Sequence, residues 1–321
     1  MPARIPLFFG TATIGAAGHT AVRVTKTEDA QALLDGFFKH GYTEVDTARL
    51  YGDGTTEEAL SKVDLKGASL DTKVMPLKPG DHSPERLRAT LDQSIGALHP
   101  HKIRTFYLHA PDRSVPFEDT LCTVNELYKE GKFTAFGLSN FPAWEDQVVS
   151  ICKAHGWIQP TVYQGLYNAI SRTMEAELIP AIRKLGLRLV TFNPLAGGFF
   201  SGKALLDPEA LDKSDPFHPD NGWLGPALRK RYLKDGQLEA LKLLQEVAEK
   251  NNLTLAEIGY RWIHHHSLLQ PGDGIIFGAS SVAHLEQNIT NAEKGPLPDD
   301  VVAAIDLAHK VVGLDAPFYA R

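Results

Sequence analysis

Strand-like and helix-like runs alternate along most of the chain at roughly 30-residue intervals, a rhythm that limits the fold to βα units around a parallel sheet. Strand-like runs close at Asp46 and recur over residues 70–75, 103–109, 134–138, 162–164 and 187–192. Helical patterning fills the gaps. It starts at Pro84, with Leu87, Leu91, Ile95 and Leu98 at helical spacing, and returns over 117–129, after Pro142 and near 175–184. Six units result, and the residues alone leave a closed barrel and an open doubly wound sheet both available. If Asp46 ends a parallel strand and Tyr51 lies in the loop after it, both point at the C-terminal mouth of the sheet, where such folds do chemistry.

Past Asn193-Pro194-Leu195 the rhythm breaks into a segment rich in Gly, Pro and Asp, residues 197–225, of a length expected for a functional loop. Helical patterning resumes over 238–249 and 255–263. A short apolar strand, 274–278, precedes Ala279-Ser280-Ser281, and a last helix covers 301–312. With 321 residues, 43% of them hydrophobic, the chain has ample core material and is read as one domain over 1–321. A net charge of -6 gives no basic footprint for nucleic acid or an anionic membrane surface, so neither is expected as a partner. Cys122 and Cys152 stand alone, without disulfide or zinc spacing, and are expected as reduced thiols on helices. The apolar run at Leu7-Phe8-Phe9 is too short for a signal peptide and no stretch approaches a membrane span, so a cytoplasmic protein is expected.

Three polar residues fall at equivalent places in the rhythm. Asp46 ends the first strand read from the sequence, Lys73 lies in the second and His109 ends the third, with Tyr51 following Asp46 in its loop. A barrel would bring these strand ends within side-chain reach. A tyrosine with a pKa near 10 is a poor proton donor or acceptor at neutral pH, but a nearby ammonium lowers that value. Lys73 is expected to be that ammonium, Asp46 to hold it in place, and His109 to hydrogen-bond a substrate oxygen. Such a site hands a proton to a carbonyl oxygen as negative charge builds there, and needs a hydride donor. Taken singly, each residue also has a structural reading: a core ion pair, a surface aromatic, a strand-end histidine.

In this order and spacing the residues resemble those of the aldo-keto reductases, from Leu7 to the C-terminus. The resemblance implies a single (β/α)8 TIM barrel with long C-terminal-face loops, and a catalytic tetrad of Asp46, Tyr51, Lys73 and His109. It further implies NADPH/NADP+ as cofactor. Ser139, Asn140 and Gln164 would grip the nicotinamide carboxamide, and Phe192 would stack behind the ring. Asn193, Pro194, Leu195 and Gly197 would wrap the pyrophosphate, while Ser280, His284, Gln287 and Asn288 would hold the adenosine and 2′-phosphate end. Asn-Pro-Leu-Ala-Gly-Gly, Gly202-Lys203 and the final arginine are similar to the aflatoxin-aldehyde reductase branch. That likeness implies dialdehyde or semialdehyde substrates, Arg231 and Arg321 as holders of a substrate carboxylate, and a homodimer. The chain departs from the branch at Leu228, where a tyrosine is usual, and at His284, where glutamine or arginine is usual. It also has no arginine between Lys203 and Arg229.

Other patterns carry less. Residues 197–203 have Walker-like spacing, but Ala204 stands where a magnesium-binding hydroxyl belongs, which leaves Lys203 as a point charge toward a pyrophosphate. For Ser139-Asn140 a helix N-cap before Pro142 is the structural alternative. His264-His265-His266 has no carboxylate or cysteine at ligand spacing, so a surface face is expected and no metal. Two rival functions remain: a cofactor-binding regulatory subunit similar to the β subunits of potassium channels, and a biosynthetic ketone reductase of specialised metabolism.

Overall fold

The computed structural model describes residues 5–205, 211–212 and 215–321. Eight parallel strands close into a barrel in sequence order. They are β1 (Leu7–Gly10), β2 (Glu44–Asp46), β3 (Ser69–Val74), β4 (Ile103–Leu108), β5 (Ala135–Ser139), β6 (Pro160–Leu166), β7 (Arg188–Phe192) and β8 (Gly274–Phe277). Closure comes from β1 against β8, with Leu7 opposite Ile275 and Phe9 opposite Phe277. The surrounding helices are α1 (Thr27–Lys39), α2 (Thr55–Leu60), α3 (Pro84–Leu98), α4 (Phe117–Lys129), α5 (Gln147–His155), α6 (Leu178–Lys184), α7 (Leu224–Tyr232), α8 (Asp235–Lys250), α9 (Leu255–His265), α10 (Val282–Ala292) and α11 (Asp299–Val312).

Each strand alternates between two cores. Phe9, Val45, Leu70 and Phe106 face outward and pack under the helices, where α1 contributes Leu33, Leu34 and Phe37. Phe8, Tyr107, Val162, Val190 and Ile276 fill the barrel interior. Two glycines make room for the largest of these rings. A Cβ on Gly137 would lie 2.4 Å from Tyr107, and one on Gly274 would lie 2.4 Å from Phe8. Below this layer the N-terminal mouth is plugged by charge: Arg104 and Arg188 lie over the Phe8 ring at 5.8 and 4.9 Å, and both pair with Glu44. Arg104 also forks onto Asp71, at 2.9 and 2.7 Å.

Several expectations need correction. The strand ending at Asp46 is the second of the barrel, since Leu7-Phe8-Phe9 is β1; Lys73 and His109 therefore belong to β3 and to the end of β4. The segment 197–225 is not irregular throughout. It holds short 3-10 turns over Ala196–Ser201 and Lys203–Leu205 and runs into α7, while its residues 206–210 and 213–214 lie outside the described residues. The histidine triplet is no surface face, because His264 is fully buried and its Nδ1 accepts from the Ile5 amide at 3.4 Å. Cys122 and Cys152 are free thiols on α4 and α5. No helix among the described residues is long and apolar enough to cross a membrane.

Candidate active site

The ends of β2, β3 and β4 bring Asp46, Lys73 and His109 together at the C-terminal mouth, and Tyr51 opens the turn that follows β2. Lys73 is fully buried. Its Nζ donates to Asp46 Oδ1 at 2.6 Å and to the Thr47 carbonyl at 2.8 Å, and lies 5.3 Å from the centre of the Tyr51 ring. The other Asp46 oxygen accepts from Gln164 Nε2 at 2.9 Å, so both its oxygens are engaged. The rings of Tyr51 and His109 meet edge to face, 6.3 Å apart.

Electrostatics sort these groups by role. Burial works to depress the Lys73 ammonium, but the charge of Asp46 and its hydrogen bond to the ammonium oppose this, and the group sits above its ordinary range. Burial lifts the Asp46 carboxyl, and Lys73 opposes that lift. For Tyr51 the expected direction is overturned. Burial raises the phenol above its ordinary value, and the lowering pull of Lys73 only partly offsets it. His109 is pushed well below 6.5 by burial and by the nearby charges of Lys73 and Arg321, so it is a neutral imidazole at physiological pH. One neighbour escaped sequence reasoning: Tyr107 lies beneath Lys73, 5.9 Å from Nζ, although strand alternation signals it, since Tyr107 shares a face with His109. Gln164, expected only as a carboxamide contact, also touches Asp46.

Ser139 closes β5, fully buried, and Asn140 follows in the left-handed region, at φ 59°. The Asn140 amide nitrogen donates to the His109 carbonyl at 2.8 Å and to Ser139 Oγ at 3.0 Å. With Gln164 Nε2 also engaged, two amide oxygens and one hydroxyl hydrogen are left, the complement of a primary carboxamide. The residues thus fit a nicotinamide. They are not a helix cap, because α5 begins only after Asp146. Phe192 ends β7 and packs on the interior cluster. Pro194 and Leu195 approach α9 so closely that a Cβ on Gly259 would lie 2.9 Å from Leu195 Cδ2. Asn193, Ala196, Gly197, Gly198 and Gly202 all have positive φ, the kind of backbone that turns amides toward an anion. Lys203 lies 3.8 Å from Asp215.

Across the mouth, Ser281 caps α10 by accepting from the His284 amide at 3.2 Å, Ser280 Oγ contacts His284 Nδ1 at 3.2 Å, and Asn288 donates to the Gly278 carbonyl at 3.2 Å. Gln287 is exposed on the same helix. A helix start of this kind suits a phosphate. Arg321 is tied by its backbone to the site: its amide donates to the Asn140 carbonyl at 3.0 Å, and its carbonyl accepts from Arg113 Nη2 at 2.9 Å. Burial and the charge of Arg231 both depress the Arg321 guanidinium.

A parallel eight-stranded barrel with a lysine, carboxylate, tyrosine and histidine at its C-terminal mouth defines a class, and the family comparison agrees: the aldo/keto reductase family model matches residues 6–310. The chain belongs to this family, whose members are oxidoreductases of aldehydes and ketones that generally use a nicotinamide dinucleotide. Among its relatives, human aldo-keto reductase family 7 member A3 is 40% identical over 305 residues, covering 90% of this chain and 91% of the relative. Aldo-keto reductase pigE of Monascus ruber is 38% identical over 333 residues, covering 98% and 97%. Aflatoxin B1 aldehyde reductase member 2 of Mus musculus is 39% identical over 303 residues, covering 90% and 82%.

Proposed function

We propose that the protein reduces aldehydes or ketones to alcohols with NADPH, and that Asp46, Tyr51, Lys73 and His109 carry the chemistry. The observation that supports this most is the buried Lys73–Asp46 pair lying 5.3 Å from the centre of the Tyr51 ring, with a neutral imidazole at the ring's edge. NADPH, when bound, supplies the hydride. Tyr51 gives its phenolic proton to the carbonyl oxygen, and Lys73 stabilises the phenolate left behind. Asp46 keeps that ammonium charged and aimed. His109 donates a hydrogen bond to the same oxygen and, being neutral, orients the carbonyl without protonating it. Ser139, Asn140 and Gln164 hold the carboxamide, Phe192 backs the ring, and the loop of Asn193, Pro194, Leu195 and Gly197, with Lys203, follows the pyrophosphate. Ser280, His284, Gln287 and Asn288 receive the adenosine end.

Substrates that carry a carboxylate suit the two guanidinium groups of Arg231 and Arg321, whose mutual repulsion an anion relieves. The names of the aflatoxin B1 aldehyde reductase relatives support an aldehyde substrate. The test is NADPH and NADH fluorescence titration followed by cofactor oxidation on a panel that includes succinic semialdehyde and 2-nitrobenzaldehyde. Turnover with NADPH is expected, and binding without turnover anywhere on the panel would overturn the reading. Arg321→Ala should raise KM for succinic semialdehyde about tenfold, the scale of one lost charge-assisted hydrogen bond, and leave 2-nitrobenzaldehyde nearly unchanged. Equal effects on both substrates would remove Arg321 from carboxylate binding.

A further inference from the structure

We propose that Glu57 is a positioning residue for the reduction: its buried carboxylate ties the turn that carries Tyr51 to the strand that carries Lys73. The inference rests on the catalytic roles proposed above for those two residues.

Glu57 lies in the first turn of α2, and its side chain has no exposure to solvent. One carboxylate oxygen accepts from Arg49 Nη1 at 2.6 Å and the other from Thr72 Oγ1 at 2.6 Å. Arg49 is two residues before Tyr51, and its backbone amide donates to the Lys73 carbonyl at 3.0 Å. Thr72 immediately precedes Lys73. Strand alternation turns Thr72 outward to α2 while Lys73 faces the barrel interior. A single carboxylate therefore grips both chain segments whose side chains must meet, and it does so from behind the site, touching neither Tyr51 nor the Lys73 ammonium.

The turn needs such a grip. Gly52 and Gly54 take up the left-handed region freely, at φ 53° and 95°, but Asp53 between them lies there too, at φ 52°, where a side chain carries a cost that the surroundings must offset. The Arg49 guanidinium is laid directly over Gly54, where a Cβ would come within 1.6 Å of Nη2. On the outer side, Thr55 Oγ1 donates to the Gly52 carbonyl at 2.6 Å and Asp53 pairs with His19 at 2.8 Å. Burial raises the Glu57 carboxyl above its ordinary range, and the Thr72 hydroxyl and the Arg49 charge oppose it. Burying an ion pair costs desolvation and is weak evidence for stability, whereas fixing one arrangement of the chain is a use it can serve. Proton transfer is sensitive to that arrangement, since a shift of about 1 Å costs on the order of a hundredfold in rate.

The experiment compares wild type with Glu57→Gln and Thr72→Val. Glu57→Gln keeps size and shape but removes the charge; Thr72→Val leaves the Arg49 pair in place and cuts only the link to β3. For each protein kcat and KM, NADPH affinity by fluorescence, the melting temperature and the solvent deuterium isotope effect on kcat are measured. Both folded variants should lose roughly ten- to a hundredfold in kcat. NADPH affinity should be retained, and the solvent isotope effect should rise as transfer from Tyr51 becomes slower. Wild-type kcat in both folded variants would overturn the inference. So would a joint fall of melting temperature, NADPH affinity and kcat with an unchanged isotope effect, which marks a merely structural residue. A wild-type enzyme that turns over no carbonyl substrate defeats the proposed function itself, an outcome distinct from active wild type with unimpaired variants.

Discussion

Lys73 and Arg321 both draw the Tyr51 phenol down, yet burial and the Asp46 charge outweigh them, and the group meets neutral pH with its proton in place. The proposed role of Tyr51 as donor in a reduction needs this state, and in that role Lys73 would matter after transfer, when the phenolate is left behind. His109 behaves in the opposite sense. Its folded value and that of His82 lie below 6.5, chiefly through burial. The unfolded chain binds protons at these imidazoles as pH falls through about 6.5 while the folded chain does not, so stability is full above that pH and declines below it. Replacing His82 and His109 by Asn should flatten the fall of unfolding free energy between pH 7.5 and 5.5 by up to about 1.4 kcal/mol per pH unit for each imidazole. Urea unfolding at several pH values measures this, and an unchanged slope would contradict it.

At the scale of elements, the two ends of the barrel divide the work. The C-terminal ends of β2 to β7 present the site, while the N-terminal ends carry the plug of Glu44, Asp71, Arg104 and Arg188 around Phe8. Arg104→Leu strands the buried Asp71 carboxylate and should destabilise the fold by about 3 kcal/mol. Turnover below the melting temperature should be unaffected, and a loss of kcat without a loss of stability would show that the plug reaches the site. Much of this architecture is legible in the sequence because burial on both faces gives strands a distinct apolar signature and because α3 and α4 keep strict helical spacing. β1 is not, since the four residues Leu7–Gly10 carry too little periodicity, and only pairing with β2 on one side and with β8, far along the chain, on the other makes them a strand. α7 is hidden for a different reason. Gly222, Gly225 and Pro226 mark its start as loop, and its place is set by burial of Leu228 and Tyr232 against the barrel mouth.

For the molecule as a whole, the site is a product of closure. Asp46, Lys73 and His109 are legible as equivalent strand ends, but Gln164, remote in sequence, meets Asp46 only because the sheet curls round. The C-terminal segment adds to this by crossing the mouth. Arg321 bonds to the backbone of Asn140, Tyr319 OH donates to Glu177 at 2.5 Å and accepts from the Ala143 amide at 3.0 Å, and Phe318 stacks on Trp144 with centroids 6.1 Å apart. The segment that carries the candidate carboxylate anchor is thereby fastened to the loop that carries the candidate carboxamide contact. Sequence reading places these residues in different elements and has no means to join them.

The most direct test of the account is Tyr51→Phe, assayed for carbonyl turnover and, in the same preparation, for NADPH binding by fluorescence. Removing one hydroxyl from a folded site should lower kcat by roughly 100-fold or more, the ordinary scale of a positioned proton donor, and leave NADPH affinity nearly unchanged. A variant that binds NADPH and reduces aldehydes at the wild-type rate would contradict the assignment of Tyr51 as proton donor.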